Sequence, residues 1–400
     1  MNFKAILKKR FFVITTLLFC GCIEPFETTF IDFESALVIE ATITNEFKQQ
    51  QIVLSRTYEF EADGPTAESN ANVSISDTSG NTFLFQDTGN GVYLSQQAFA
   101  AQQGVAYELS ITTQNGRNYG SSSVPFSLGT NIGEVSAERI TNDDGVEGMA
   151  IRVDSFDPND NSKNYRYEYE ETYKVIAPNW DPTMLIGDPA PDSGCNVIKV
   201  NNDLNEQTCF PTDFSNTIIL TSTEDLAEDR VSNFLVRFIP RDNYIISHRY
   251  SILVRQFVQS NEAFTFFERL NELSSSESLF SQVQPGFLQG NVFSKDSEEE
   301  RVLGFFDVST VSEQRIFFNY DDFFPGEPLP PYVEPCNLNA PPLASIGGCI
   351  VRPIIEIRAG VYAGDNDDPL IGPGPYIILS RVCGDCSVLG PKEVPDFWIE

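Results

Sequence analysis

Short runs of alternating apolar and polar residues, separated by tight-turn residues, recur along most of this 400-residue chain. Clear examples are residues 36–44, 72–77 and 106–112, and the turns include Ser79-Gly80-Asn81 and Asn115-Gly116. Alternation places successive side chains on opposite faces of a strand, and Asn-Gly or Ser-Gly sequences favour tight hairpin turns. Repeated at intervals of about 8–12 residues, this pattern is typical of a β-sandwich. We therefore predict a mainly β fold with an immunoglobulin-like β-sandwich over residues 34–127.

The rest of the chain, residues 128–400, is predicted to form a larger β-rich domain. Alternating runs predict strands at 165–170, 217–221, 234–239, 249–258, 302–309, 314–320, 353–362 and 375–382. One short helical insertion is expected, because Ser260 can cap a helix whose apolar residues follow at helical spacing through Leu273. Phe264, Phe266 and Phe267 in this helix could form a stacking platform for a ligand, but core packing is the preferred interpretation.

The N-terminal residues predict export and lipid anchoring. Residues 1–10 are basic without acids, and 11–19 form an apolar run that is too short to span a membrane. The run ends in Phe19-Cys20-Gly21-Cys22, which resembles a bacterial lipobox. We predict a lipoprotein signal peptide at 1–21, lipidation of Cys22 and an acidic tether at 22–33. Cleavage to a soluble secreted protein and lipidation at Cys20 remain alternatives.

Charge and histidine content exclude several functions. The formal net charge of −31 argues against a nucleic-acid partner, which clustered Lys and Arg would be needed to bind. His248 is the single histidine, which leaves little basis for Ser-His-Asp, Cys-His or histidine-rich zinc chemistry. We predict no cofactor.

Six cysteines beyond the lipobox are candidates for disulfides, because an exported protein enters an oxidising compartment. Six cysteines allow 15 pairings. The simplest pairing joins sequence neighbours, so we expect Cys195 with Cys209, Cys336 with Cys349, and Cys383 with Cys386. The last pair would close a tight turn and have a structural role rather than a redox or zinc-binding role.

Acidic residues offer the remaining chemistry. Asp365, Asp367 and Asp368 lie in a loop flanked by Gly and Pro and supply oxygens of the kind that Ca²⁺ prefers. They lack the EF-hand spacing, so an exposed acidic turn is the preferred interpretation and no metal site is predicted. A carboxylate pair acting as acid and base stays open as a hydrolase hypothesis, although no spacing selects one pair. Trp398 is expected to pin the C-terminus by apolar packing.

Several segments, taken in their order along the chain, resemble one protein family. They include Leu37-Val38-Ile39-Glu40-Ala41, residues 71–75, residues 284–292, Val302-Leu303-Gly304-Phe305-Phe306, Cys383-Gly384-Asp385-Cys386 and residues 395–398. From the lipobox to the C-terminus, the chain resembles the Bacteroidota lipoprotein family of domain of unknown function 4249. The resemblance implies no established activity. It implies an accessory role near TonB-dependent outer-membrane transporters, and the acidic residues after Cys22 resemble a tag for export to the cell surface.

Three functions follow as expectations. The leading one is a non-enzymatic, lipid-anchored outer-membrane protein, facing the cell exterior, that binds a ligand or partner next to a TonB-dependent transporter. Its partners would be the membrane, through the lipid, and the transporter. The alternatives are a structural subunit of an envelope assembly and a carboxylate-dependent hydrolase. An open aromatic groove would favour the first, a large dry apolar patch the second, and a pocket of acids with raised pKa values the third.

Overall fold

The computed structural model describes residues 35–58, 64–126, 128–190, 192, 194–275 and 288–400. Strands dominate these residues, so the predicted mainly β class is confirmed. The predicted signal peptide, the acidic tether and the lipidation site Cys22 lie outside the described residues. They therefore stay predictions.

The range predicted as a sandwich is built from short strands. They are β1 (Leu37–Thr44), β2 (Gln51–Arg56), β3 (Thr66–Ala67), β4 (Asn72–Asp77), β5 (Thr82–Gly89), β6 (Val92–Ser95), β7 (Ala106–Thr112), β8 (Asn118–Ser121) and β9 (Val124–Pro125). In β1 the side chains of Leu37, Ile39 and Ala41 are buried, whereas Val38 and Glu40 are more exposed. This alternation turns one face of the strand to a core and leaves the other face available for a site.

The strands and helices that follow are longer and more varied. Up to residue 275 they are β10 (Ile132–Thr141), β11 (Glu147–Phe156), β12 (Asn164–Tyr173), β13 (Val175–Ile176), β14 (Thr183–Gly187), β15 (Val197–Asn201), β16 (Thr208–Cys209), β17 (Thr212–Phe214), β18 (Ile219–Ser222), β19 (Arg230–Pro240), a 3₁₀ turn (Tyr244–Ile246), β20 (Arg249–Gln259) and helix α1 (Asn261–Ser275). From residue 288 they are β21 (Val292–Ser294), β22 (Val302–Asn319), α2 (Tyr320–Phe323), β23 (Ala344–Ser345), β24 (Gly348–Cys349), α3 (Val351–Glu356), β25 (Gly360–Asp365), β26 (Tyr376–Ser380), α4 (Arg381–Gly384) and a 3₁₀ turn (Cys386–Val388).

One large sheet runs through most of the molecule. Its strand order is β17-β12-β20-β22-β1-β2-β6-β5-β4-β7-β8-β21, with β18 on β12, β3 on β2 and β9 on β7. A second sheet has the order β10-β11-β19, and four two-stranded pairs complete the strand pairing: β13 with β16, β14 with β15, β23 with β24, and β25 with β26.

Strand β22 joins two hydrophobic cores. Its first half is parallel to β1, and its second half is antiparallel to β20. Phe306 and Val308 complete the core of the first nine strands, while Phe318 belongs to a second core built on β11, β12, β19 and β20. The first core therefore contains residues from both sides of the predicted domain boundary at 127.

The predicted helical insertion is present as α1. Ser260 caps it as expected, because its Oγ accepts a hydrogen bond from the Ala263 amide at 3.2 Å. Strand predictions at 302–309 and 314–320 are wrong in one respect, since both belong to the single strand β22. Between the two predicted strands, Thr310 and Val311 are buried whereas Ser312 and Glu313 are more exposed, and the strand continues through this change.

The predicted strand at 353–362 is wrong over its first half, which forms α3. Pro353 lies in the first turn of this helix, where its missing N–H has no intrahelical partner to lose. The isoleucines of this segment are β-branched and favour a strand, which is why the sequence predicts one here.

The predicted cysteine pairing is wrong, although all six candidate cysteines form disulfides. The bonds join Cys195 to Cys349, Cys209 to Cys386, and Cys336 to Cys383. Each bond therefore links segments that are distant in sequence, with separations of 154, 177 and 47 residues.

The physical reason is that sequence neighbours lie in different packing units. Cys209 lies on β16 in the second core, whereas Cys195 lies in the loop that joins β14 to β15, beside a smaller core. Cys383 lies in the helical turn α4 and Cys386 follows the extended residue Asp385. The two thereby reach different partners, and the expected Cys383–Cys386 bridge does not form.

Candidate ligand-binding groove

An open groove of about 990 Å³ lies between helix α1 and the outer face of the large sheet. Its floor is formed by β1, β2, β12, β20 and β22. Its lining residues are mostly apolar and aromatic, and they include Val38, Val53, Phe257, Phe266, Phe267, Leu270, Leu273, Leu288, Leu303 and Phe305.

Strand alternation separates the groove from the first core. Val38 on β1 is opposite Leu303 on β22, and Glu40 is opposite Phe305, with all four side chains on the groove face. The residue after Phe305, Phe306, points the other way and is fully buried in the core. The same period of two that builds the core therefore also builds the floor of the groove.

Helix α1 supplies one wall of the groove. The Phe266 ring lies 5.3 Å from the Phe305 ring and 5.5 Å from the Phe267 ring, measured between centroids. Phe266 is buried against Phe305, so the prediction of core packing holds for it. Phe267 is only half-buried and lines the groove, so its ring is available to a ligand.

Two arginines lie at one end of the groove, around the Phe257 ring. The Arg166 guanidinium carbon is 4.3 Å from the centroid of Phe257 and 4.8 Å from that of Phe267, so the guanidinium lies between two aromatic rings. The Arg255 guanidinium carbon is 5.5 Å from the Phe257 centroid. Register explains the cluster, since Arg166 on β12 and Phe257 on β20 are directly opposite in the sheet.

The arginines are partly neutralised by glutamates. Arg166 pairs with Glu168, while Arg255 lies 2.6 Å from Glu46 and 3.4 Å from Glu313. Burial alone would raise the pKa of Glu46, but the Lys48 hydrogen bond and the Arg255 charge hold it below its usual range. Glu46 therefore stays ionised at neutral pH.

Arg166 retains an unused hydrogen-bond donor. Its residue is 8% exposed, and its Nε is buried without a hydrogen-bond partner. A buried donor in this state loses its bond to water without replacing it. The arrangement is therefore suited to a ligand that brings an acceptor.

A smaller pocket of about 510 Å³ adjoins the groove at the arginine end. It shares Arg166, Glu168, Ile218, Arg255 and Phe267 with the groove and continues past the exposed ring of Phe214. The two guanidinium groups therefore lie at the junction of the two spaces.

Gly304 allows two backbone segments to approach at the groove floor. A Cβ at this position would lie 1.9 Å from the Ile39 carbonyl oxygen, and the residue has a φ of +121°. Gly290 is equally constrained, because its Cβ would lie 1.8 Å from the Gly304 carbonyl oxygen. Only glycine fits either close approach.

Two of the three calcium candidates accept hydrogen bonds from neighbouring groups of the protein. Asp365 accepts hydrogen bonds from Lys199 at 2.6 Å and Tyr362 at 3.0 Å, and Asp368 accepts one from the Leu370 amide at 2.9 Å. Asp367, like the other two, is exposed. Within the described ranges, no three His, Cys, Asp or Glu side chains come together as metal ligands.

The carboxyl groups with a resolved pKa change in the described part of the chain all shift in one direction. Every carboxyl group there with a resolved change has its pKa lowered, because hydrogen bonds and nearby cations outweigh burial. These groups are Glu46, Asp77, Glu147, Asp157, Glu300, Asp365, Asp385 and Glu400.

Trp398 packs as predicted near the C-terminus. Its ring contacts Phe210 and Phe317 edge to face, with centroids at 5.0 and 5.9 Å.

Sequence analysis missed Arg166 and Arg255 as site residues. The sequence signal for Arg166 was its place in the alternating run Tyr165-Arg166-Tyr167. Both tyrosines point into the second core, and Arg166 therefore points to the opposite face of the strand.

Comparisons with curated proteins and solved structures indicate no function for the chain. No curated protein matches it. Among the solved structures that match is a DUF4785 family protein from Legionella pneumophila, which is 8% identical with a TM-score of 0.17, and the match covers 54% of this chain. The chain spans about half the length of that protein, and the similarity is too weak to transfer a fold or a function.

In the described part of the chain, no helix has the length and apolar character needed to cross a bilayer.

A family model described as a domain of unknown function (DUF4249) matches residues 23–315. The match ends inside β22, so the segments near 383–386 and 395–398 that contributed to the resemblance lie beyond it. Since the match covers well over half of the 400 residues, the chain belongs to the family of domain of unknown function 4249.

Proposed function

We propose that this protein is a non-enzymatic binding component of the outer membrane that captures a ligand in the groove beneath helix α1. In this proposal it is a Bacteroidota lipoprotein, anchored by lipid at Cys22 on the cell surface, next to a TonB-dependent transporter. The observation that carries the binding role is the open aromatic groove with two arginines at one end.

The size and lining of the groove support ligand binding. Small-molecule sites occupy about 300–1,000 Å³, are mostly apolar and carry a few well-placed polar groups. The volume of the groove lies at the upper end of this range. Aromatic rings line its floor and wall, and the buried Arg166 guanidinium lies at one end.

The carboxyl groups support binding over hydrolysis. A general acid for glycoside hydrolysis needs a raised pKa so that it still holds a proton at neutral pH. The described carboxyl groups with resolved changes are shifted in the opposite direction. A concave aromatic groove also differs from the flat apolar patch that a purely structural subunit would present to its assembly.

Anchoring and partner rest on the sequence. The lipobox-like Phe19-Cys20-Gly21-Cys22 supports lipidation, and the family resemblance supports a place beside a transporter. Two acyl chains would hold the protein stably at a membrane surface without crossing it.

Lipidation of Cys22 is tested by metabolic labelling. We expect [³H]palmitate to be incorporated into the wild-type protein and into the Cys20→Ala variant, and to be lost from Cys22→Ala. The neighbouring cysteine is a matched control, since it shares the same segment and the same chemistry. Label that persists in Cys22→Ala and disappears in Cys20→Ala would contradict the assignment.

The transporter partner is tested by affinity purification of the tagged protein from outer membranes solubilised in mild detergent. We expect mass spectrometry to show a TonB-dependent transporter in stoichiometric amount. The Cys22→Ala protein serves as the control, because it should not reach the membrane and should recover no transporter. Recovery of the anchored wild-type protein alone would contradict the accessory role.

A further inference from the structure

The chemistry of the groove indicates what kind of molecule it takes, if it is a ligand site as proposed above. The unpaired donor is the Arg166 Nε–H, in a side chain that is about nine-tenths buried and lines both the groove and the adjoining pocket. The Phe257 and Phe267 rings, with centroids 4.3 and 4.8 Å from the guanidinium carbon, restrict the movement of the group. Such a fixed donor favours an acceptor with a planar, charged group, such as a carboxylate.

Arg255 adds a second guanidinium beside the same ring. Its Nε is also buried without a hydrogen bond, and a Glu313 carboxylate oxygen lies 3.4 Å from it. Glu168, the partner of Arg166, has a side chain that is 41% exposed. This glutamate can therefore turn to solvent and leave Arg166 to an incoming anion.

The apolar part of the groove lies beyond the arginines, where Leu303 and Phe305 of β22 line its floor. The α1 side chains Phe266, Phe267 and Leu270 line the same space from one side. A matching ligand has one acidic end and an extended apolar body.

The backbone of the floor argues against an extended peptide. β1 pairs with β2 and β22, and β20 pairs with β12 and β22, so neither strand offers a free edge in the groove. A peptide bound there would bury its own amides without backbone partners. An apolar chain has no such groups to satisfy.

We propose that the groove binds an amphiphilic organic acid, with its carboxylate held by Arg166 and Arg255 and its apolar chain laid along β22 beneath α1. This inference rests on the proposed function of the groove as a ligand site. It adds the ligand class, which is an anionic amphiphile rather than a neutral lipid, a cation or a peptide.

The test is titration calorimetry of the purified protein with probes of equal chain length. Dodecanoate, dodecanol and dodecyltrimethylammonium differ only in the head group, and each is used below its micelle concentration or, for dodecanol, below its solubility limit. We expect dodecanoate to bind at least about tenfold more tightly than dodecanol, because a charge-assisted hydrogen bond to a buried guanidinium is lost with the neutral head. We expect the cationic probe to bind most weakly.

Variants separate the head group from the chain. Arg166→Met keeps a long side chain between the two rings but removes the N–H donors. It should therefore lower the affinity for dodecanoate by about tenfold or more and leave the affinity for dodecanol unchanged. Leu270→Asn should lower the affinity for both probes. Arg230→Met is the matched control, because Arg230 also lies over an aromatic ring, Phe156 at 4.0 Å, but does not line the groove.

Several results would overturn the inference. The first is that dodecanoate and dodecanol bind with equal affinity. The second is that dodecanoate binds equally well to wild type and to Arg166→Met, with both proteins folded by circular dichroism. The third is that acetyl-Phe-Leu-Phe-amide binds and dodecanoate does not. The affinity purification is independent of these titrations. If the protein recovers a transporter but binds no dodecanoate, the proposed ligand class is wrong and the proposed accessory role stands.

Discussion

Replacing Gly304 with alanine is expected to lower the free energy of unfolding by about 3–5 kcal/mol, among the largest effects of any single substitution in this chain. The added Cβ would lie 1.9 Å from the Ile39 carbonyl oxygen and 2.8 Å from its carbonyl carbon. Ile39 cannot move away, because β1 is hydrogen-bonded between β2 and β22. The φ of +121° at this position adds backbone strain for any residue with a side chain.

Denaturant unfolding followed by circular dichroism measures this effect. Gly116→Ala is the matched control, since Gly116 has a φ of +84° but no atom within 4 Å of an added Cβ. Its loss should be about 1 kcal/mol, from backbone strain alone. Equal losses in the two variants would show that the close approach of β1 and β22 does not constrain residue 304.

Removing the Cys209–Cys386 disulfide is expected to lower the free energy of unfolding by about 4 kcal/mol. The bond closes a loop with a sequence separation of 177 residues, so it strongly restricts the unfolded chain. Both sulfurs are also fully buried in the second core, so the Cys209→Ala/Cys386→Ala protein loses packing as well. The bond ties the C-terminal segment to that core, and its loss should also expose this segment to proteases.

The matched control is the Cys195→Ala/Cys349→Ala protein. Its loop is of similar length, with a separation of 154 residues, but Cys349 is only half-buried. We expect a smaller loss of stability, because less core packing is removed. Peptide mapping without reduction should recover cross-links 195–349, 209–386 and 336–383. Recovery of a 195–209 cross-link in the native protein would overturn the arrangement from which both expectations follow.

Local features of this fold could be predicted from the sequence because they depend on neighbouring residues. The alternation in β1 and the Ser260 cap of α1 each involve contacts within a few positions. The wrong strand prediction at 353–356 also concerns local residues, since β-branched isoleucines favour a strand whereas a proline fits the first turn of a helix.

Long-range features could not be predicted because a single sequence does not state which segments meet. The simplest cysteine pairing assumed that short loops close first, whereas the fold places Cys195 and Cys209 in different packing units. The groove has the same character. Arg166 lies between Phe257 and Phe267 only because β12 pairs with β20 in one register and α1 crosses that face.

The parallel pairing of β1 with β22 sets the order in which the polypeptide can acquire its structure. β1 is among the first described segments to be synthesised, but its partner in the sheet follows more than 250 residues later. Until β22 emerges, one edge of β1 has no partner and the apolar residues that complete the first core are absent. Before β22 is available, the N-terminal segment therefore has an incomplete core and an unpaired strand edge, which slows folding and favours aggregation.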